Sequence, residues 1–92
     1  MKRVEYRISF ERTLKKLIPE KRIRAKEAVK SLLLALDRNE VPAGLGLKRL
    51  YGDNWEIRVD LDLRVCFRMS GDSIAFSLVG SHNDIRNHLK NL

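Results

Sequence analysis

Polar and apolar residues alternate from residue 3 to residue 8. Val4, Tyr6 and Ile8 share one face, and Arg3, Glu5 and Arg7 share the other. A period of two, rich in β-branched and aromatic residues, predicts a half-buried strand. The period then lengthens. Phe10, Leu14, Leu17 and Ile18 recur at helical spacing, with Ser9 placed as the cap. Pro19 ends that helix or opens the next, because proline fits best in a first turn. From Glu20 to about Arg38, Ile23, Val29, Leu32, Leu33 and Leu36 form one stripe, with Ala25 and Ala28 beside it. That pattern predicts a long amphipathic helix, which Asn39 can terminate. The link between the two helices is minimal, so they should form an antiparallel hairpin.

Glu40 to Gly46 is the main loop, marked by Pro42, Gly44 and Gly46. Short alternating runs follow. Leu47 to Tyr51 is brief. Trp55, Ile57 and Val59 alternate with Glu56, Arg58 and Asp60; Leu63, Val65, Phe67 and Met69 alternate with Arg64, Cys66 and Arg68. Ile74, Phe76 and Leu78 alternate with Ser73, Ala75 and Ser77. Turns at Gly52-Asp53-Asn54, Asp60-Leu61-Asp62 and Ser70-Gly71-Asp72 separate the runs, so antiparallel hairpins are expected. Ser81 and Asp84 are spaced as a capping box for a last helix striped by Ile85, Leu89 and Leu92. The expected order is β-α-α-β-β-β-β-α. This is an α+β fold: a single domain over residues 1–92, with a helical hairpin on a mainly antiparallel sheet of four to five strands.

This pattern assigns Trp55 through Leu78, at alternate positions, to the hairpin side of the sheet. The opposite, wet face then collects Glu56, Arg58, Arg64, Cys66, Arg68, Ser73, Ala75 and Ser77. Small residues on the last strand, flanked by arginines, suggest a shallow cradle for a phosphate-bearing strand. Ordinary cross-strand pairing of Arg58 with nearby acids is the plainer reading.

Composition narrows the classes. The net charge is +7 and the pI is near 10.0. Residues 1–38 carry 12 Lys/Arg and 5 Asp/Glu, whereas residues 39–92 carry 7 of each, so the whole excess lies in the N-terminal part. Such a charge suits an anionic partner, nucleic acid or an acidic protein. The longest apolar run, Leu32 to Leu36, is far below the ~20 residues of a membrane span. No signal-peptide pattern follows Met1, and the one cysteine, Cys66, makes no internal disulfide, so a reducing cytoplasmic setting is expected. Cys66 is expected to fill space in a strand. His82 falls in the first turn of the last helix, where a neutral imidazole can act as a general base. His82 and His88 lack the four-residue spacing of a zinc pair, so neither a metal nor a small-molecule cofactor is expected.

Three stretches together resemble a known family. They are Leu47-Lys48-Arg49-Leu50, then Trp55-Glu56-Ile57-Arg58-Val59 with Leu63-Arg64-Val65-Cys66-Phe67-Arg68, and then Ser77-Leu78-Val79-Gly80-Ser81-His82-Asn83-Asp84-Ile85. The chain resembles the RelE/ParE superfamily of type II toxins, across essentially its whole length. For the RelE-like branch the resemblance implies a ribosome-dependent endoribonuclease that cuts mRNA, uses no metal, and leaves a 2′,3′-cyclic phosphate. It implies that Arg64 contacts the scissile phosphate, that His82 is catalytic, and that Glu56 lies near a general-base position. Lys48 and Arg49 would bind RNA, with Arg58 and Arg68 as supporting cations. The implied partners are the ribosome, mRNA and an acidic antitoxin. The ParE branch would instead inhibit DNA gyrase, and a non-catalytic member would act as a binding module.

Overall fold

The chain switches from strand to helix directly after residue 6. In the computed structural model, which describes residues 2–91, β1 is Arg3–Tyr6 and α1 is Ile8–Lys15. Ile8 therefore opens the helix rather than extending the strand, and it stands 80% exposed. Arg7 is the N-cap residue and no side chain caps α1. The expected cap, Ser9, instead donates its hydroxyl to the Ser77 carbonyl at 2.5 Å. Thr13 does similar bridging work, accepting from the Val79 amide at 3.0 Å. Two hydroxyls thus fasten α1 to the sheet.

Pro19 is the first residue of α2 (Pro19–Arg38), where its missing amide costs nothing. Asn39 ends α2 in the left-handed region at φ 56°, as a C-terminal cap residue does. The buried stripe is Ala25, Val29, Leu32 and Ala35. Ile23, expected within it, lies off the stripe and is exposed. A single 3-10 turn, Ala43–Leu45, then leads to β2 (Lys48–Arg49), β3 (Asn54–Arg58), β4 (Arg64–Ser70), β5 (Ser73–Gly80) and α3 (His82–Lys90). Met1 and Leu92 lie outside the described residues, so the last position of the expected α3 stripe is not placed.

The five strands form one sheet in the order β1-β5-β4-β3-β2. β1 runs parallel to β5 and every other pair is antiparallel. The β-α-α-β-β-β-β-α order and the α+β class are as expected. The main core lies between the hairpin and one sheet face. There Phe10, Val29 and Leu32 meet Ile57, Val65, Phe67, Ile74 and Phe76. Phe76 is its hub, with the Tyr6, Phe10 and Phe67 rings 5.3, 5.7 and 5.7 Å away. Among the described residues, no helix is long and apolar enough to cross a membrane.

The other face departs from expectation. It is wet only in part: Arg58 and Arg68 are exposed. Glu56, Cys66, Ala75 and Ser77 are all buried. α3 lies across part of it and packs Ile85 and Leu89 on Cys66 and Leu78, with Leu50 beside them. Leu78, assigned to the hairpin side by its alternation, belongs to this second cluster. The reason is a bulge. Cys66 pairs with Leu78 but Phe67 pairs with Phe76, leaving Ser77 as an extra residue in β5. One extra residue inverts the alternation beyond it, so Val79 replaces Leu78 in the main core.

Candidate functional site

α3 begins where β5 ends, and this junction builds one wall of the site. The Ser81 hydroxyl accepts from the Asp84 amide at 3.1 Å, and Asp84 Oδ2 accepts from the Ser81 amide at 2.9 Å. This capping box was legible in the Ser-x-x-Asp spacing, and it places His82 at the first helical position. His82 is exposed there. Arg86 follows one helical turn later, on the same side of α3. Ile85, buried between them, holds the helix down; hiding such a side chain is worth ~1.5–3 kcal/mol.

The facing wall is β2 and the turn after it. Lys48, Arg49, Leu50, Tyr51, Glu56, His82, Ile85, Arg86 and Leu89 line one pocket of about 320 Å³. Four of the expected residues, Lys48, Arg49, Glu56 and His82, thus come together from three elements.

Glu56 forms the floor. Its side chain is only 3% exposed, and its Oε2 accepts from Arg64 Nη1 at 3.2 Å. Oε1 has no hydrogen-bond partner among the described residues. A buried acceptor left unpaired costs ~1–3 kcal/mol, and such a group stands ready for an arriving donor. Lys48 is opposite Glu56 in the β2–β3 register and therefore shares its face. Arg64, half-buried, is opposite Arg58, which makes no ion pair among the described residues. Like charges directly opposite on a ladder repel. Arg64 turns to Glu56, and Arg58 remains exposed beside it. Gly46 makes room for this corner: at φ +60°, a Cβ on it would sit 3.2 Å from the Arg58 Cβ.

Of the remaining two cations, Arg49 is at the pocket edge and Arg68 stands apart. Arg49 is opposite Trp55 rather than Glu56. Its guanidinium lies 5.8 Å from the Trp55 ring centroid, and its Nε donates to the Gly52 carbonyl at 2.9 Å. It is built into the turn. Arg68 is four residues along β4 from Arg64, roughly 13 Å at ~3.3 Å per residue. It sits 3.8 Å from Asp53, at the far end of the sheet.

Cys66 lies beneath Glu56, opposite it in the ladder. Burial, and then the Glu56 charge, push its thiol from 9.0 up to about 12. It is filler, as expected, and no thiolate nucleophile. His88 lines a different recess with Asn87 and Asn91. Among the described residues, no three His, Cys, Asp or Glu side chains are grouped so as to hold a metal ion.

Sequence reasoning missed Arg86 and Tyr51. Arg86 was findable, since it is four residues beyond His82 on a predicted helix. Tyr51 was not, because its position depends on how the turn after β2 folds.

No protein-family model matches the chain, and no curated protein sequence matches it. Solved structures do. A chain of the DinJ-YafQ complex from E. coli superposes with a TM-score of 0.70 at 20% identity, over 92% of this chain and 98% of that one. A chain of the RelB-RelE antitoxin-toxin complex from Methanococcus jannaschii gives 0.69 at 21% identity, over 91% and 96%. The YoeB/ParE toxin from Agrobacterium tumefaciens gives 0.66 at 16% identity, over 87% and 98%. At these identities the likeness is one of fold. The fold is that of RelE-, YafQ- and ParE-type toxins, in agreement with the resemblance read from the sequence.

Proposed function

We propose that this chain is the toxin of a toxin-antitoxin pair and that the pocket beneath α3 cleaves messenger RNA on the ribosome. The observation that carries the reading is the meeting of His82, Lys48, Arg86 and the Glu56–Arg64 pair in and around one pocket. Cleavage by the ribose 2′-hydroxyl needs a base at that hydroxyl, cations on the phosphorane, and an acid at the departing 5′ oxygen. His82 is exposed at the mouth and takes the 2′-hydroxyl proton. Arg64 and Lys48 stabilise the developing charge, with Arg58 behind them. Glu56 is too deep to meet the ribose; it works by holding Arg64. Arg49 supports the β2 turn that presents Lys48, and Arg68 contacts an RNA phosphate farther along the sheet. The bond broken is P–O5′, solvent supplies the proton that the departing 5′ oxygen takes up, and the product is a 2′,3′-cyclic phosphate with a free 5′-hydroxyl.

The partner reading rests on a second surface. Phe10, Leu14, Val29, Leu33 and Leu34 line an apolar groove along α1 and α2, with Lys26 and Lys30 balanced by Glu11 and Asp37. The apolar lining suits an amphipathic antitoxin segment that folds as it binds.

The test is a translation extract supplied with the full-length protein. Message engaged by ribosomes should be cut. His82→Ala should slow cutting by about 10²-fold or more. Arg64→Gln, which keeps a donor for Glu56, should slow it by about 10²–10³-fold. Message that stays intact under the wild-type protein overturns the reading.

A further inference from the structure

The turn between β2 and β3 carries a largely exposed aromatic ring. Tyr51 is 74% exposed, yet it lines the same pocket as His82 and Arg86. Among the described residues, no other Phe, Tyr or Trp lines that pocket. The backbone beneath the ring is fastened. The Tyr51 carbonyl accepts from the Asn54 amide at 2.9 Å and from Asn54 Nδ2 at 3.0 Å. Asn54 itself is buried, 7% exposed. The next carbonyl, of Gly52, is held by Arg49 Nε. The ring is therefore free on its faces but anchored at its base.

An open ring on a fixed support, beside a cluster of cations, has the chemistry of a single-strand nucleic-acid platform. Cations hold the phosphates, and the ring takes a base by its face. We infer that Tyr51 stacks on the nucleobase next to the phosphate held in the pocket, and so sets which nucleotide lies across His82. This rests on the pocket being an RNA site. Stacking uses the ring and not the hydroxyl, and a purine offers the larger face. The position should therefore accept any base and prefer a purine.

The experiment uses the full-length protein and a short single-stranded RNA carrying 2-aminopurine, free at low salt and on programmed ribosomes. The wild-type protein should bind it and quench its fluorescence. Tyr51→Phe should keep both properties. Tyr51→Leu and Tyr51→Ala should bind about ten-fold more weakly and lose the quenching. Lys48→Ala should weaken binding in a salt-dependent way, while RNA that remains bound is still quenched. Tyr51→Ala behaving as wild type while Lys48→Ala loses binding would overturn the stack and leave the RNA site standing. Tyr51→Phe failing as badly as Tyr51→Ala would overturn it too, by giving the role to the hydroxyl. No binding by the wild-type protein in either form would remove the RNA site and the stack together.

Discussion

Cys66 shows how one residue's surroundings decide between reactive and inert chemistry. In the sequence it sits between arginines two positions away on either side, a setting that could favour a thiolate. In the fold it is fully buried, with leucine and isoleucine side chains above it and the Glu56 carboxylate alongside. Both surroundings disfavour the anion, and the thiol rises to about 12. The folded protein should resist a thiol reagent at pH 8 and react only once unfolded, which labelling with and without denaturant checks. The raised pKa also has a consequence for stability. Between the unfolded value near 9.0 and the folded value near 12, the unfolded chain gives up the proton and the folded chain keeps it. Stability should therefore be whole below pH ~9 and fall as pH climbs from there. Cys66→Ala should flatten that part of the pH profile of the melting temperature. An equal slope in both proteins would remove the cause.

At the scale of the element, α3 decides both what is buried and what can react. Its start depends on Gly80, which needs no unusual backbone angle but has no room for a Cβ. One placed there would lie 2.8 Å from Asp84 Oδ2 and 2.9 Å from the Asp84 Cβ. Gly80→Ala should therefore break the capping box, at about 1–2 kcal/mol, and shift His82. Gly44 has open space around it, and Gly44→Ala is the control, expected to stay within about 0.5 kcal/mol. Equal denaturation midpoints for the two variants would remove the steric role. The capping box itself was legible, because its signal is two residues at fixed spacing. The sheet face beneath α3 was not. Ser77 looks like one more alternating strand residue, and nothing local marks it as the extra one that turns Leu78 towards α3. Glu56 and Cys66 were read as wet because alternation says only that a face differs from the core. It does not say that a helix from farther along the chain will cover it. Ser9 fits a cap by its local pattern, yet its hydroxyl is claimed by Ser77, 68 residues away. Local rules thus supplied the elements and their order, while the bulge and the α3 contact, both long-range, set the pocket.

For the whole molecule, the question is what the +7 charge of the N-terminal 38 residues is for. Part of it is spent inside the fold. Lys21 Nζ lies 2.6 Å from Asp60 Oδ2, and Arg24 lies 3.8 Å from the same oxygen. Arg22 donates to the Lys15 and Leu17 carbonyls at the end of α1. Three of the densest basic residues thus tie α2 to the β3–β4 turn and to α1. Lys26 and Lys30 lie on the apolar groove, where Glu11 and Asp37 accompany them. The surface available for docking is narrower than the sequence count implies, and it lies away from the α3 pocket. Asp60 is the acid that joins the layers, and the hydrogen bond from Lys21 holds its carboxyl below the ordinary 3.8. The sign follows from the depressed value. The contribution is present above the unfolded pKa and is lost as pH falls through the folded one. Below pH ~4 the wild-type protein should therefore lose stability that Asp60→Asn, already without the charge, no longer has to lose. Melting curves of the two proteins between pH 7 and pH 2 should converge in acid. Curves that stay parallel would show that Lys21 and Asp60 meet without coupling α2 to the sheet.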